Sequence, residues 1–155
     1  MTYLISGLAP EQFSHLIGAS DEVLARHNAE RVTAQSKPGA PCRITLEDAE
    51  PGETLILVNY VSHDVANAYR ATHAIFVNES AVAADEYIDE TPPVFKPRIL
   101  SMRGFDHDGK IVDALLTQPG EAEQGIRTLF DKAEVAYIHA HNATHGCYSA
   151  KVERG

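Results

Sequence analysis

The sequence predicts an α+β domain: a mainly antiparallel sheet of about five to seven strands, a common sheet size, with two or three helices. Three observations predict it. Helical periodicity is confined to the early part of the chain and to one segment after Pro119. Alternating or continuous apolar runs of strand length fill most of the remainder. Those runs are joined by turn signals, not by helical crossovers, so the order argues against a parallel sheet.

Taken in order, Tyr3 to Ser6 reads as a short strand. Pro10 suits a first helical turn, with Phe13, Leu16 and Ile17 on one face and Gly18 as the stop. Ser20 can cap a second helix whose first turn carries Asp21 and Glu22 and which fades near Asn28. Residues 35–41 are loop material. Cys42 to Leu46 is expected to be a strand. Pro51-Gly52 turns the chain into Thr54 to Val61, which is apolar on both faces and therefore belongs inside a sheet. His73 to Asn78 is another strand. The acidic stretch from Asp85 to Glu90 and the prolines at 92, 93 and 97 form a long surface connection.

Arg98 to Phe105 and Ile111 to Thr117 flank a hairpin loop, Asp106 to Lys110. Pro119 opens the last helix, with Ala122, Ile126, Leu129 and Phe130 on its apolar face. Glu123 and Arg127 form an i,i+4 pair on the other side. Gly125 inside it costs about 1 kcal/mol relative to Ala. Val135 to Lys151 is a closing hairpin.

At 155 residues the chain fits one domain, and 44% apolar with 23% charged residues is an ordinary globular composition. The 22 acidic residues outnumber 13 basic ones, for a formal net charge of -9. Nucleic-acid binding needs a basic field, so nucleic acid is not an expected partner, and neither is an anionic membrane surface. No segment approaches the ~20 apolar residues that span a bilayer, and Met1 to Ser6 lacks the basic start of a signal peptide. The expected location is the cytoplasm, where Cys42 and Cys147 are free thiols.

The closing hairpin gathers the chain's densest group of polar chemistry. Ala136, Ile138 and Ala140 form one apolar row, and Tyr148, Ala150 and Val152 form another. Putting both rows on the core sets Ala140 opposite Tyr148, His141 opposite Cys147 and His139 opposite Ser149. The loop is then Asn142 to Gly146. The second face gathers His139, His141 and Cys147, near enough to share a ligand or a proton.

Three readings of that face stay open. It can be structural, with its imidazoles hydrogen-bonded. It can be a metal site, with His139, His141 and Cys147 as mixed nitrogen and sulfur ligands for Zn²⁺. It can be nucleophilic, with a Cys147 thiolate and His141 as base. Arg43, His73 and Asn142 are candidate contacts for a small ligand, although His73, heading an apolar strand, also suits a structural role. Arg98 and Arg103 fall on opposite faces by parity and do not form one clamp. Asp106, Asp108 and Gly109 resemble a calcium loop only loosely, without its closing Glu. No glycine-rich nucleotide loop, nucleophile elbow or H-E-x-x-H is present. The competing class is a non-catalytic interaction domain, a homodimer formed through an exposed sheet edge.

Several segments together resemble the bacterial family DUF1203, a domain of unknown function. They are Pro41-Cys42-Arg43-Ile44, Pro51-Gly52-Glu53, Tyr69-Arg70, His73 to Val77, and Leu100-Ser101 with Arg103. Tyr137 to Ala143, Gly146-Cys147-Tyr148 and Glu153-Arg154 complete the set. The resemblance implies a bacterial origin and brings no activity or cofactor with it. Cys42, His73, His139, His141 and Cys147 all fall within it.

Overall fold

The computed structural model describes residues 1–155 and has nine strands in two antiparallel sheets. The strands are β1 (Tyr3–Ser6), β2 (Ala29–Thr33), β3 (Thr54–His63), β4 (Ala71–Asn78), β5 (Glu86–Ile88), β6 (Leu100–Phe105), β7 (Ile111–Thr117), β8 (Tyr137–Asn142) and β9 (Tyr148–Arg154). The helices are α1 (Asp21–Arg26) and α2 (Ala122–Phe130). The larger sheet has the order β5-β1-β9-β8-β6-β7, and the smaller one β2-β3-β4. The architecture is α+β and antiparallel as expected, but divided between two sheets and richer in strands. No helix is long and apolar enough to cross a membrane.

Each sheet buries one face in its own core. Ile138, Ala140, Ala150 and Val152 of the larger sheet pack against Ile126, Leu129 and Phe130 of α2, each large side chain contributing roughly 1.5–3 kcal/mol. The helix is amphipathic as the sequence predicts, and Arg127 meets Glu123 at 2.8 Å on its outer side. Gly125 has a packing reason: a Cβ there would stand 2.4 Å from Thr117 Cγ2 and 3.1 Å from Leu115 Cδ1. Ile56, Val58, Ile75 and Val77 of the smaller sheet pack with Phe13, Leu16 and Leu24. β3 lies between β2 and β4, so Thr54 to Val61 is an interior strand.

Three local expectations are corrected. Residues 10–18 form only a 3-10 turn at Pro10–Phe13, whereas Ser20 does cap α1, accepting the Val23 amide at 3.3 Å. Cys42 to Leu46 is a turn: Cys42 N–H donates to Glu47 at 2.9 Å, Leu46 N–H returns to Cys42 at 3.0 Å, and Leu46 has φ 57°. Its alternation is real but serves two cores, Cys42 and Ile44 facing the smaller and Leu46 the larger. The surface connection holds β5, a three-residue edge strand paired to β1.

The terminal hairpin forms with a different register. Ile138 stands opposite Val152 and Ala140 opposite Ala150, so the two apolar rows do share the core face. The register then shifts, placing His141 opposite Tyr148 with Ser149 as the extra residue. This bulge turns Tyr148 out of the apolar row and onto the histidine face. Gly146, at φ 77°, closes the loop by donating to the Asn142 carbonyl at 2.7 Å.

Candidate functional site

The histidine face of the larger sheet meets the smaller sheet through a layer of rings. His139 and His141 do share one face, their centroids 6.4 Å apart. His63 of β3 lies 5.0 Å from His139, and His73 of β4 lies 4.8 Å from His141. Tyr148 stands edge-on to both hairpin histidines, at 5.1 and 6.0 Å. His141 Nδ1 donates to the Gly146 carbonyl at 3.0 Å, and His63 Nε2 meets the Tyr137 hydroxyl at 2.5 Å. His73 Nδ1 is 2.6 Å from Ser62 Oγ.

Burial dominates the electrostatics of this layer. It pushes His139 down to about 3 and His141 down to about 4, because a charged imidazole loses its hydration there. Neighbouring His63 and His141 lower His139 further. Burial also lowers His73, with added repulsion from Arg103 and Arg43. Arg103 has no carboxylate partner; its Nε reaches Ser101 Oγ at 3.3 Å. A small cavity of ≈ 260 Å³ opens among His63, His139, His141, Arg103, Tyr69 and Phe105.

Cys147 leaves the histidine face. Its sulfur accepts from Arg43 Nη2 at 3.2 Å and from Asn142 Nδ2 at 3.6 Å. The set His139, His141 and Cys147 therefore does not assemble, and no three His, Cys, Asp or Glu side chains group as they would around a metal ion. The register is the reason: Ala140 pairs with Ala150, two residues beyond the expected Tyr148, and the bulge at Ser149 then brings Tyr148, not Cys147, across from His141. No histidine hydrogen-bonds the Cys147 sulfur either, so the Cys147–His141 pair is not formed.

The structure instead brings Cys147 together with Arg43, His73 and Asn142. All four line one cleft of ≈ 920 Å³ between the edge of β4 and the terminal hairpin loop. Arg43 is 2% exposed. Its Nε donates to the Tyr148 carbonyl at 2.8 Å and its Nη1 to the Pro41 carbonyl at 2.5 Å. No carboxylate pairs with it. Burial lowers its pKa, and the Cys147 sulfur is the foremost group opposing that. A guanidinium remains charged regardless.

Asn142 is 7% exposed, and its Oδ1 has no hydrogen-bond partner. Arg98 and His145 complete the polar lining. Arg98 is held by Asp48 and lies apart from Arg103, so the two arginines serve different cavities. Sequence reasoning missed His63 and Arg98 as parts of these walls and Tyr148 as a member of the ring layer. The apolar run before His63 gave it no distinguishing pattern, and Tyr148 was hidden by its regular alternation. Cys42 is buried, and its sulfur accepts the Asn78 amide at 3.2 Å.

No curated protein and no solved structure matches this chain. A model of one family, described as a protein of unknown function, matches residues 39–154. That stretch holds both cavities' walls and leaves out β1, α1 and β2. With three quarters of its length matched, from the residues around Arg43 to those closing β9, the chain belongs to the DUF1203 family.

Proposed function

We propose that the cleft around Arg43 and Cys147 binds a small molecule carrying a carboxylate or phosphate. One observation carries this reading. In a chain of formal net charge -9, none of the 13 residues lining the cleft is acidic, and two arginines and two histidines are among them. A buried guanidinium without a counter-charge is costly, and an anionic ligand would supply what Arg43 lacks. A cleft of this volume is within the usual range for small-molecule sites.

Thermal unfolding with added inorganic phosphate or acetate tests it. The melting temperature should rise saturably, since a ligand bound only to the folded state stabilises it by mass action. The rise should weaken as salt is added and be lost in Arg43→Met. An unchanged melting temperature at high millimolar concentrations of both anions would overturn the reading.

A second reading concerns self-association. β7 is a free edge of the larger sheet, and Ile111, Val112 and Leu116 are exposed on it, Leu116 by 65%. An apolar free edge favours pairing with a second copy. Light scattering should then show a dimer that Leu116→Lys dissociates; a wild-type monomer would dismiss this.

A further inference from the structure

We propose that Cys147 is a nucleophile for small electrophiles that bear an anionic group, with Arg43 rather than a histidine as its activating partner. This rests on the anion-binding reading of the same cleft. The sulfur is half-buried, faces the cleft, and receives two N–H donors, Arg43 Nη2 at 3.2 Å and Asn142 Nδ2 at 3.6 Å. Reactive cysteines sit in partly exposed, electropositive surroundings, and the guanidinium and amide at this sulfur provide them. Cys42 provides the internal contrast: it is buried away from the cleft.

Asn142 points independently to a ligand. It lines the cleft and is more than nine-tenths buried, yet its Oδ1 lacks a donor. An unsatisfied buried acceptor costs about 1–3 kcal/mol, so the position suits a molecule that supplies an N–H or O–H beside the reacting centre. Its anionic end would lie toward Arg43, with Arg98 and His145 in the same walls.

The step balances without a co-reactant. The thiol proton passes to solvent, the sulfur electron pair forms the S–C bond, and the leaving group departs with the electrons of the broken bond. Nothing is oxidised or reduced outside the two reactants.

Iodoacetate and iodoacetamide test the proposal, because they share an electrophilic carbon and leaving group and differ in charge. An ordinary thiolate prefers the neutral reagent. Here iodoacetate should alkylate Cys147 faster than iodoacetamide, by about tenfold at low salt, in line with the rate gains of single-sign clefts. Inorganic phosphate should compete with iodoacetate, and Arg43→Gln should reverse the preference. Adducts are located by peptide mass, with Cys147→Ala as the blank. If Arg43→Gln fails to fold, loss of the preference in wild-type protein at high salt makes the same test. Iodoacetamide reacting as fast as iodoacetate at low salt would overturn the proposal. Phosphate binding to Cys147→Ser separates the two readings. Binding there without iodoacetate preference in the wild type sinks the nucleophile and leaves the anion site, whereas no binding sinks both.

Discussion

Arg98 and Asp48 face each other two-on-two, with Nη1 to Oδ2 at 2.8 Å and Nη2 to Oδ1 at 2.7 Å. Asp48 also accepts the Gly39 amide at 3.2 Å, and Arg98 donates to the Val94 carbonyl at 2.9 Å. The pair therefore ties the loop before the Cys42 turn to the segment entering β6. Its side chains are 17% and 6% exposed, so it is a largely desolvated bidentate pair.

Removing one partner of such a pair should be expensive. Asp48→Ala leaves Arg98 without its counter-charge and should cost about 3 kcal/mol, the lower end for a broken buried pair. Urea unfolding measures it. A loss below 1 kcal/mol, the value of a surface pair, would contradict this account.

Gly125→Ala should also destabilise, although Ala favours helix by about 1 kcal/mol. The new methyl would meet Thr117 Cγ2 at 2.4 Å, and overpacking typically costs about 1–3 kcal/mol. The net expectation is a loss of about 1 kcal/mol. Thr117→Ser removes the obstructing methyl, so the double variant should be more stable than the sum of the two single changes predicts. Additive effects in a double-mutant cycle would mean that the contact does not limit the helix.

Stability should rise with pH across the range set by the hairpin histidines. In the unfolded chain they take up protons near the ordinary imidazole value of about 6.5. In the folded chain His141 resists protonation until about 4 and His139 until about 3. Between those limits the unfolded state holds more protons, so acidification favours unfolding. The contribution is fully present above about 6.5 and declines as the pH falls to about 4 for His141 and about 3 for His139. Unfolding free energies measured from pH 7.5 downward should fall by several kcal/mol, and His139→Phe should flatten part of that slope. A wild-type slope indifferent to His139→Phe would refute the assignment.

The two thiols should differ in accessibility. Cys147 should react with a neutral thiol reagent in native protein, and Cys42 only after unfolding, because Cys42 is buried beneath the smaller sheet. Mass measurement after timed blocking reads this out. Equal rates in native protein would show that the Cys42 turn opens readily.

The sequence foretold those elements whose pattern coincides with burial. α2 shows its apolar stripe, β3 its continuous run, and the β6–β7 hairpin its loop, where Asp106 Oδ1 accepts the amides of Asp108 and Lys110 at 2.9 Å each. β2 escaped notice because it is an edge strand carrying Glu30 and Arg31, with little apolar pattern to read. The same limit applies to the site. His-x-His on one face follows from strand parity, and that face holds both rings. The partner of Cys147 does not follow, because both apolar rows also reach the core with Ala140 opposite Ala150, two residues from the expected register, and the bulge at Ser149 then sets Tyr148 opposite His141. Arg43 was legible as a candidate, but its full burial depends on the turn that alternation disguised as a strand.

Arg43 also sets a condition on how the chain folds. Its guanidinium reaches the Tyr148 carbonyl 105 residues further along the chain, and β1 pairs with β9 across a still longer separation. Contacts this distant require closing large loops before they give anything back, and they slow folding. The cleft should therefore be among the last features to form, after α2 and the β6–β7 hairpin have condensed locally. A chain still emerging from the ribosome has no cleft until β9 is free to fold, so the Cys147 thiol gains its guanidinium neighbour only in the finished fold.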